Sequence, residues 1–133
     1  ELYKGGIIPL KEYAKMPYDR DILVRLIVKK EKAAFDYQSV RNSQTDFPVL
    51  TCAAAKTEAG YRFSIGARPG KAVLFELADA DIQAADVENM AENAAKCVKE
   101  QVETDSNTRG SAEYRKHLAG VLVRRAVCKL AGK

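Results

Sequence analysis

The sequence contains few groups that could act together as an acid, a base, a nucleophile or a metal ligand. His117 is the single histidine, and no serine or cysteine nucleophile lies near it in the sequence, so a solvated or capped helical histidine is favoured. The three cysteines, Cys52, Cys97 and Cys128, are odd in number, far apart and outside any CxxC pair. A structural zinc site needs about four N or S ligands at short spacings. We therefore predict reduced, mostly buried thiols, no metal site and no catalytic residue.

Two further segments could bind a ligand, and each has a simpler structural explanation. The glycine-rich loop Gly66–Gly70 lacks the Lys-Ser/Thr pair of a phosphate-binding loop and the third glycine of a dinucleotide fingerprint. It is therefore interpreted as a turn between strands. Asp79 and Asp81 precede a helical pattern, where carboxylates more often complement the helix dipole than bind a metal.

Length and composition indicate a single folded domain, or one domain with part of another. The chain has 133 residues, of which 47% are hydrophobic and 30% charged, enough apolar surface to offset the entropy of ordering. No apolar run approaches the roughly 20 residues that span a bilayer, and the first residues do not resemble a signal peptide. The net charge of +4 is spread along the chain rather than gathered in a basic stripe. We expect neither nucleic acid nor membrane as a partner, and a cytoplasmic location.

Alternation of apolar and polar residues predicts strands in the first part of the chain. After a loop-like lead with a short helical turn around Leu10–Lys15, branched residues predict a strand over Asp21–Val28. Further strands are predicted over 34–41, 47–56, 61–67 and 72–76.

The period changes to three and four near Ile82, which predicts an amphipathic helix over about 83–103. A second helix begins after Ser111 as N-cap, with Glu113 in its first turn, and ends before Gly132. This last helix is apolar on two sides, so we expect it to pack on two sides. Strands followed by helices indicate an α+β fold, with a three- to four-stranded antiparallel sheet and helices packed on one of its faces.

Several segments resemble one family of flavoproteins. The run Arg109–Ala126 closely resembles a signature of the C-terminal domain of the FAD-binding (medium) subunit of molybdenum hydroxylases, the family that includes xanthine dehydrogenase and carbon monoxide dehydrogenase. Asp46–Val49, Asp21–Leu23 and Ile8–Tyr13 are similar to other segments of that domain and its linker. The resemblance implies that residues 1–30 end the flavin-binding lobe and that residues 31–133 form the flavoprotein C-terminal α+β domain. Because the family's subunit is about twice as long, we expect this chain to be a truncated, proteolysed or separately encoded piece.

The resemblance also implies a cofactor, partners and two contact residues. FAD would belong to the intact subunit and would not be retained by this chain alone, while the molybdenum cofactor and 2Fe–2S clusters would lie on partner subunits. Leu23 would rest against the flavin ring system. Gln38 stands where relatives often have a lysine near the flavin, and glutamine keeps a donor and an acceptor but loses the charge. The alternative is a stand-alone interaction or scaffold module without a cofactor.

Overall fold

A computed structural model describes residues 1–17 and 20–132. The chain divides into two compact units, Glu1–Lys32 and Ala33–Lys133.

The second unit is built on a four-stranded antiparallel sheet in the order β1-β2-β3-β4. The strands are β1 (Ala34–Val40), β2 (Leu50–Thr57), β3 (Gly60–Gly66) and β4 (Val73–Leu77). Each strand pairs with the next in sequence, as expected where short turns join neighbouring strands. The predicted α+β class and its antiparallel sheet are confirmed.

One face of the sheet carries the core of this unit. Phe63 pairs with Ala54 on one side and Phe75 on the other, and all three side chains are buried. Cys52 and Ile65 form the next buried row. We call this the covered face, because the two long helices pack against it and close one continuous apolar cluster.

Two long helices follow the sheet, after a 3-10 turn at Asp79–Asp81. Helix α2 (Val87–Gln101) begins four residues later than predicted, because the Asp86 carboxylate accepts the Asn89 amide and caps the helix there. Helix α3 (Ala112–Leu130) begins after Ser111, whose hydroxyl accepts the Tyr114 amide, as predicted. Helix α3 contacts α2 on one side and strands β1 and β2 on another, which confirms its two-sided packing.

The first unit contains a short helix, α1 (Leu10–Tyr13), where the sequence predicted a helical turn. The predicted strand over Asp21–Val28 is wrong. That segment lies outside the sheet and forms one isolated antiparallel bridge, between Leu2 and Leu23. Branched residues favour an extended backbone, but a strand also needs a neighbour for its hydrogen bonds, and the paired region ends near Arg25.

The sheet face opposite the covered face is lined by the alternate residues of each strand, and we call it the open face. Pairing register places the following residues on it: Phe35, Tyr37, Ser39, Thr51, Ala53, Ala55, Arg62, Ser64, Gly66, Leu74 and Glu76. Phe35 is 71% exposed and Tyr37 61% exposed. The two long helices therefore cover one face of the sheet, and these two aromatic rings of the other face are exposed.

The backbone requires glycine at position 60 but not at position 120, so alanine substitutions at these two glycines give a paired test of the fold. Gly60 has a φ of +125°, and a Cβ there would lie 2.3 Å from the Leu77 carbonyl oxygen, whereas a Cβ at Gly120 would make only ordinary contacts, none nearer than 3.5 Å. We expect Gly60→Ala to lower the free energy of unfolding by at least about 2 kcal/mol, because the β3–β4 pairing must shift. Gly120→Ala should raise it by about 0.5–1 kcal/mol. Urea titration of both variants measures this, and a neutral Gly60→Ala would contradict the described turn.

Candidate functional site

Leu23, the first residue implied as a flavin contact, lies in the extended segment of the first unit. Its side chain is 56% exposed, and its backbone is held opposite Leu2. The neighbouring Asp21 carboxylate accepts the backbone amides of Lys4, Gly5 and Ile22, which fixes the chain immediately before Leu23. An exposed leucine on a fixed backbone can lie against a planar ring, so Leu23 fits the role, which stays a prediction.

Gln38, the second such residue, lies on β1 with its side chain on the covered face. Its Nε2 donates to an Asp36 carboxylate oxygen at 2.6 Å. Asp36 is buried and also accepts a hydrogen bond from Lys129 near the end of α3. The amide group of Gln38 is thus engaged in a polar cluster formed with Asp36 and Lys129. A flavin contact from Gln38 stays a prediction, and it would have to use the carbonyl end of the amide.

Opposing effects act on the pKa of Asp36. Burial favours the neutral acid, but the hydrogen bonds from Lys129 and Gln38 outweigh burial and hold the pKa of Asp36 below its usual range. The Asp36 carboxylate also acts on Cys52, which lies on the neighbouring strand β2. Burial, with a smaller contribution from the Asp36 charge, raises the pKa of the Cys52 thiol to about 12. Cys52 is therefore an unreactive core thiol, and Cys97 and Cys128 are also free.

Arg115 is a fully buried charged side chain at the start of α3. Its Nε donates to the Val49 carbonyl oxygen at 2.9 Å, and its Nη1 donates to the carbonyl oxygens of Asp105, at 2.6 Å, and Gly110. Its Nη2 donates to Oδ1 of Asn107. Desolvation lowers the pKa of Arg115, yet arginine stays charged in proteins. The guanidinium therefore joins the start of α3, the segment before β2 and the loop between the two long helices.

That interhelical loop, residues 102–111, also contacts two other connections. Arg68, in the glycine-rich turn, donates from Nη1 to the Glu103 carbonyl oxygen at 2.8 Å, and its own carbonyl oxygen accepts the Asp105 amide. Arg109 pairs with Asp46 at 3.2 Å, and its guanidinium lies over the Phe47 ring. The Gly66–Gly70 segment is thus a structural turn, as the sequence indicated, and its arginine helps to hold the interhelical loop.

The remaining candidates are also accounted for by structure. Asp79 pairs with Lys56, and an Asp81 oxygen accepts the Ala78 amide in the 3-10 turn, so these carboxylates are not the first turn of α2. His117 lines a shallow groove of about 540 Å³ between α2 and α3, with no serine, threonine or cysteine among the lining residues. Within residues 1–17 and 20–132, no three acidic, histidine or cysteine side chains gather to hold a metal ion, and no helix is long and apolar enough to cross a bilayer.

Comparison with known proteins identifies the family. Residues 35–130 match the sequence profile of the CO dehydrogenase flavoprotein C-terminal domain. The chain belongs to this family, which confirms the resemblance drawn from its sequence. A search of curated proteins found no match.

Solved structures share the fold at low sequence identity. Quinoline 2-oxidoreductase from Pseudomonas putida 86 superposes with a TM-score of 0.65 at 22% identity, over 75% of this chain and 37% of that chain. Carbon monoxide dehydrogenase from Hydrogenophaga pseudoflava gives a TM-score of 0.63 at 22% identity, over 74% of this chain and 37% of that one. Reconstituted CO dehydrogenase from Oligotropha carboxidovorans gives a TM-score of 0.62 at 21% identity, over 74% of this chain and 36% of that chain. The match thus spans little more than a third of each neighbour.

The signature run Arg109–Ala126 includes Arg115, whose buried hydrogen bonds were not predicted from the sequence. Arg115 shares a helix face with Leu118 and Leu122, all buried. A charged residue in an otherwise apolar stripe is the signal that could have identified it. Asp36 offered a similar signal on β1, but its partner Lys129 is 93 residues away in the sequence, so the pair could not have been assigned from spacing.

Replacing Arg115 tests whether its hydrogen bonds hold the interhelical loop. Arg115→Ala leaves four acceptors without their donor and opens a cavity, so we expect the free energy of unfolding to fall by at least about 3 kcal/mol. Arg125→Ala, at an exposed position of the same helix, should change it by less than about 0.5 kcal/mol. Thermal and urea unfolding measure both. Equal stability of the two variants would show that the buried guanidinium is dispensable.

The Asp36 carboxylate should stabilise the fold in a pH-dependent way. Because its pKa is lowered in the folded state, its contribution is fully present above the unfolded pKa of about 3.9 and is lost as the pH falls through the lower folded value. We expect Asp36→Asn to cost about 1–3 kcal/mol near neutral pH, and the difference from the unaltered chain to shrink in acid.

The matched control for that measurement is Asp79→Asn, which removes a lysine-paired carboxylate that is 59% exposed. An exposed pair contributes less than about 1 kcal/mol. Urea titrations of both variants from neutral pH into acid give the comparison, and a constant deficit for Asp36→Asn at all pH values would refute the assigned role of the ionised carboxylate.

Proposed function

We propose that this chain is the C-terminal part of the FAD subunit of a molybdenum hydroxylase of the xanthine dehydrogenase type, working in the cytoplasm. The observation that carries the proposal is the family match over residues 35–130. In such an enzyme FAD passes on electrons that reach it from molybdenum through 2Fe–2S clusters. Residues 31–133 would form the domain that packs against the flavin lobe, and molybdenum and iron–sulfur subunits would be its neighbours.

The first unit supports a role for residues 1–30 as the end of the flavin-binding lobe. Its segment Ile22–Val28 carries exposed branched side chains, with Leu26 72% and Val28 87% exposed. Residues 22, 24 and 25 of this segment hydrogen-bond to the first residues of the chain. An apolar segment of this kind could add to the edge of another sheet.

The residues present fit a supporting contact to FAD rather than a complete site. Leu23 offers an exposed apolar side chain, and Gln38, whose Nε2 donates to Asp36, offers the carbonyl end of its amide. Binding the pyrophosphate calls for a cradle of backbone amides, and the glycine-rich turn is occupied by its own Arg68, whose Nε donates to the Lys71 carbonyl oxygen. The chain therefore contributes one wall of the flavin cavity, and the rest of the subunit supplies the phosphate contacts.

The proposal predicts where flavin is retained. The 133-residue chain purified alone should show no flavin absorbance, because contacts from one wall cannot offset the cost of immobilising so large a ligand. A flavoprotein in which this chain is joined or bound to an FAD-binding lobe should hold FAD stoichiometrically. A yellow isolated chain, or an intact protein without flavin, would contradict the proposal and favour the stand-alone module.

A matched pair of variants tests Leu23 within that intact protein. Leu23→Ala should weaken FAD retention about tenfold or more and shift the flavin absorbance, because a ring contact is lost. Leu26→Ala removes a more exposed leucine from the same segment, 72% against 56% for Leu23, and should leave both the FAD retention and the flavin absorbance unchanged. The fluorescence of FAD released on dilution measures the affinity for FAD. Equal FAD affinities of the two variants would show that Leu23 does not contact the flavin.

A further inference from the structure

The groove between α2 and α3 is lined by residues of these two helices alone and has a volume of about 540 Å³. Small residues form its floor, since Ala95 and Gly120 lie where the two helices approach each other closely. A Cβ at Gly120 would lie 3.8 Å from the Ala95 carbonyl oxygen. Small-molecule sites have volumes of about 300–1,000 Å³. The groove therefore has room for a small ligand.

Four basic side chains line this groove, Lys96 and Lys99 from α2 and His117 and Arg124 from α3. Arg124 is neutralised by Glu92, whose Oε1 lies 2.6 Å from the arginine Nε. The other three basic groups form no ion pair or hydrogen bond with any residue in the described part of the chain. Lys96 and Lys99 are three residues apart on one helix face, where like charges repel each other. The groove thus carries positive charge that an anion would neutralise.

These three unpaired basic residues, which we call the basic patch, line the same stretch of the groove. The stem of Lys99 lies over Gly120, because a Cβ at Gly120 would be 3.5 Å from Cδ of Lys99 and 3.7 Å from its Cβ. His117 precedes Gly120 by three residues and Lys96 precedes Lys99 by three, so each lies on the groove face of its helix, one turn away. Ammonium and imidazole N–H groups are the donors that phosphate and carboxylate oxygens accept from.

Acidic residues bracket the basic patch along both helices. On α2, Glu92 lies one turn before Lys96, and Glu88 lies one turn before Glu92 on the same face. On α3, Glu113 lies one turn before His117. A long acidic peptide or an anionic membrane surface would meet these carboxylates as well as the basic groups. The charge pattern therefore favours a compact anion that contacts the basic patch alone.

We propose that the basic patch binds a compact, multiply charged anion, namely the phosphate or pyrophosphate group of a small molecule. Lys96 and Lys99 donate charge-assisted hydrogen bonds to its oxygens from one side, and a ring N–H of His117 donates from the other. The floor at Ala95 and Gly120 leaves space for the rest of the ligand. This inference goes beyond the proposed function, since it uses none of the residues implied in flavin binding.

NMR titration of the 133-residue chain with inorganic pyrophosphate tests the proposal. His117 is the single histidine, so its ring signals are assigned directly, and the amide of Gly120 reports on the groove floor. At fixed pH and constant ionic strength, both signals should move together and saturate. Lys99→Gln should weaken pyrophosphate binding about fivefold or more, because a charge-assisted hydrogen bond is lost. Its melting temperature should stay within a few degrees, since Lys99 is exposed.

Arg125→Gln is the matched control, because it also removes one positive charge from an exposed helical position. Arg125 lies on α3 but not among the residues that line the groove. Pyrophosphate binding should change less than twofold in this variant. Equal weakening by Lys99→Gln and Arg125→Gln would show that only the net charge of the chain attracts the anion, and it would refute the site.

Two further titrations identify the ligand class. Tighter binding of ADP than of pyrophosphate would show that the groove floor takes the nucleoside, whereas equal binding would show that the phosphate groups alone are recognised. Either result supports the proposal. Signals that do not move with millimolar pyrophosphate would overturn it. Tighter binding of a glutamate-rich peptide than of pyrophosphate would also overturn it, and would assign the groove to an acidic partner protein.

Discussion

The buried guanidinium of Arg115 is the interaction on which the second unit depends. It is removed from solvent, and its hydrogen bonds go to three carbonyl groups and one side-chain amide, while the charge of Asp105 also favours the charged guanidinium. Burying a charge costs several kcal/mol unless its hydrogen bonds are complete. The interhelical loop must therefore adopt the one conformation that points its acceptors inward, and the segment before β2 must meet the start of α3. Loop, sheet and helix are fixed together by one side chain.

The parts of the fold that could be predicted from the sequence are those encoded by local patterns. Alternation of apolar and polar residues predicted the four strands β1 to β4, and their sequential antiparallel pairing agrees with the predicted antiparallel sheet. The start of α2 was placed too early because the apolar pattern begins at Ile82, which is buried, while the Asp86 cap sets the true start. The strand at Asp21–Val28 failed for a different reason. The composition of this segment favours a strand, but strand pairing also requires a second segment, and composition does not show whether one is present.

The candidate site was accessible from the sequence only through family resemblance. Leu23 and Gln38 have no local pattern that marks them as ligand contacts, since an exposed leucine and a strand glutamine are common. Alternation does place Gln38 on the same face as Asp36, and the hydrogen bond between them follows from that register. What no local pattern could supply is Lys129, which reaches Asp36 from the end of α3. Long-range polar pairs of this kind are set by how the helices cross the sheet.

The two faces of the sheet are under different physical constraints, and their residue types differ accordingly. On the covered face, a change in side-chain volume lowers the stability of the fold because the side chains interdigitate with the helices. This explains the large buried residues of β3, Phe63 and Ile65. On the open face, Ala53 and Gly66 contribute little to strand stability, and Phe35 and Tyr37 gain nothing from solvent. The side chains of the open face are therefore free of the volume constraint that α2 and α3 impose on the covered face.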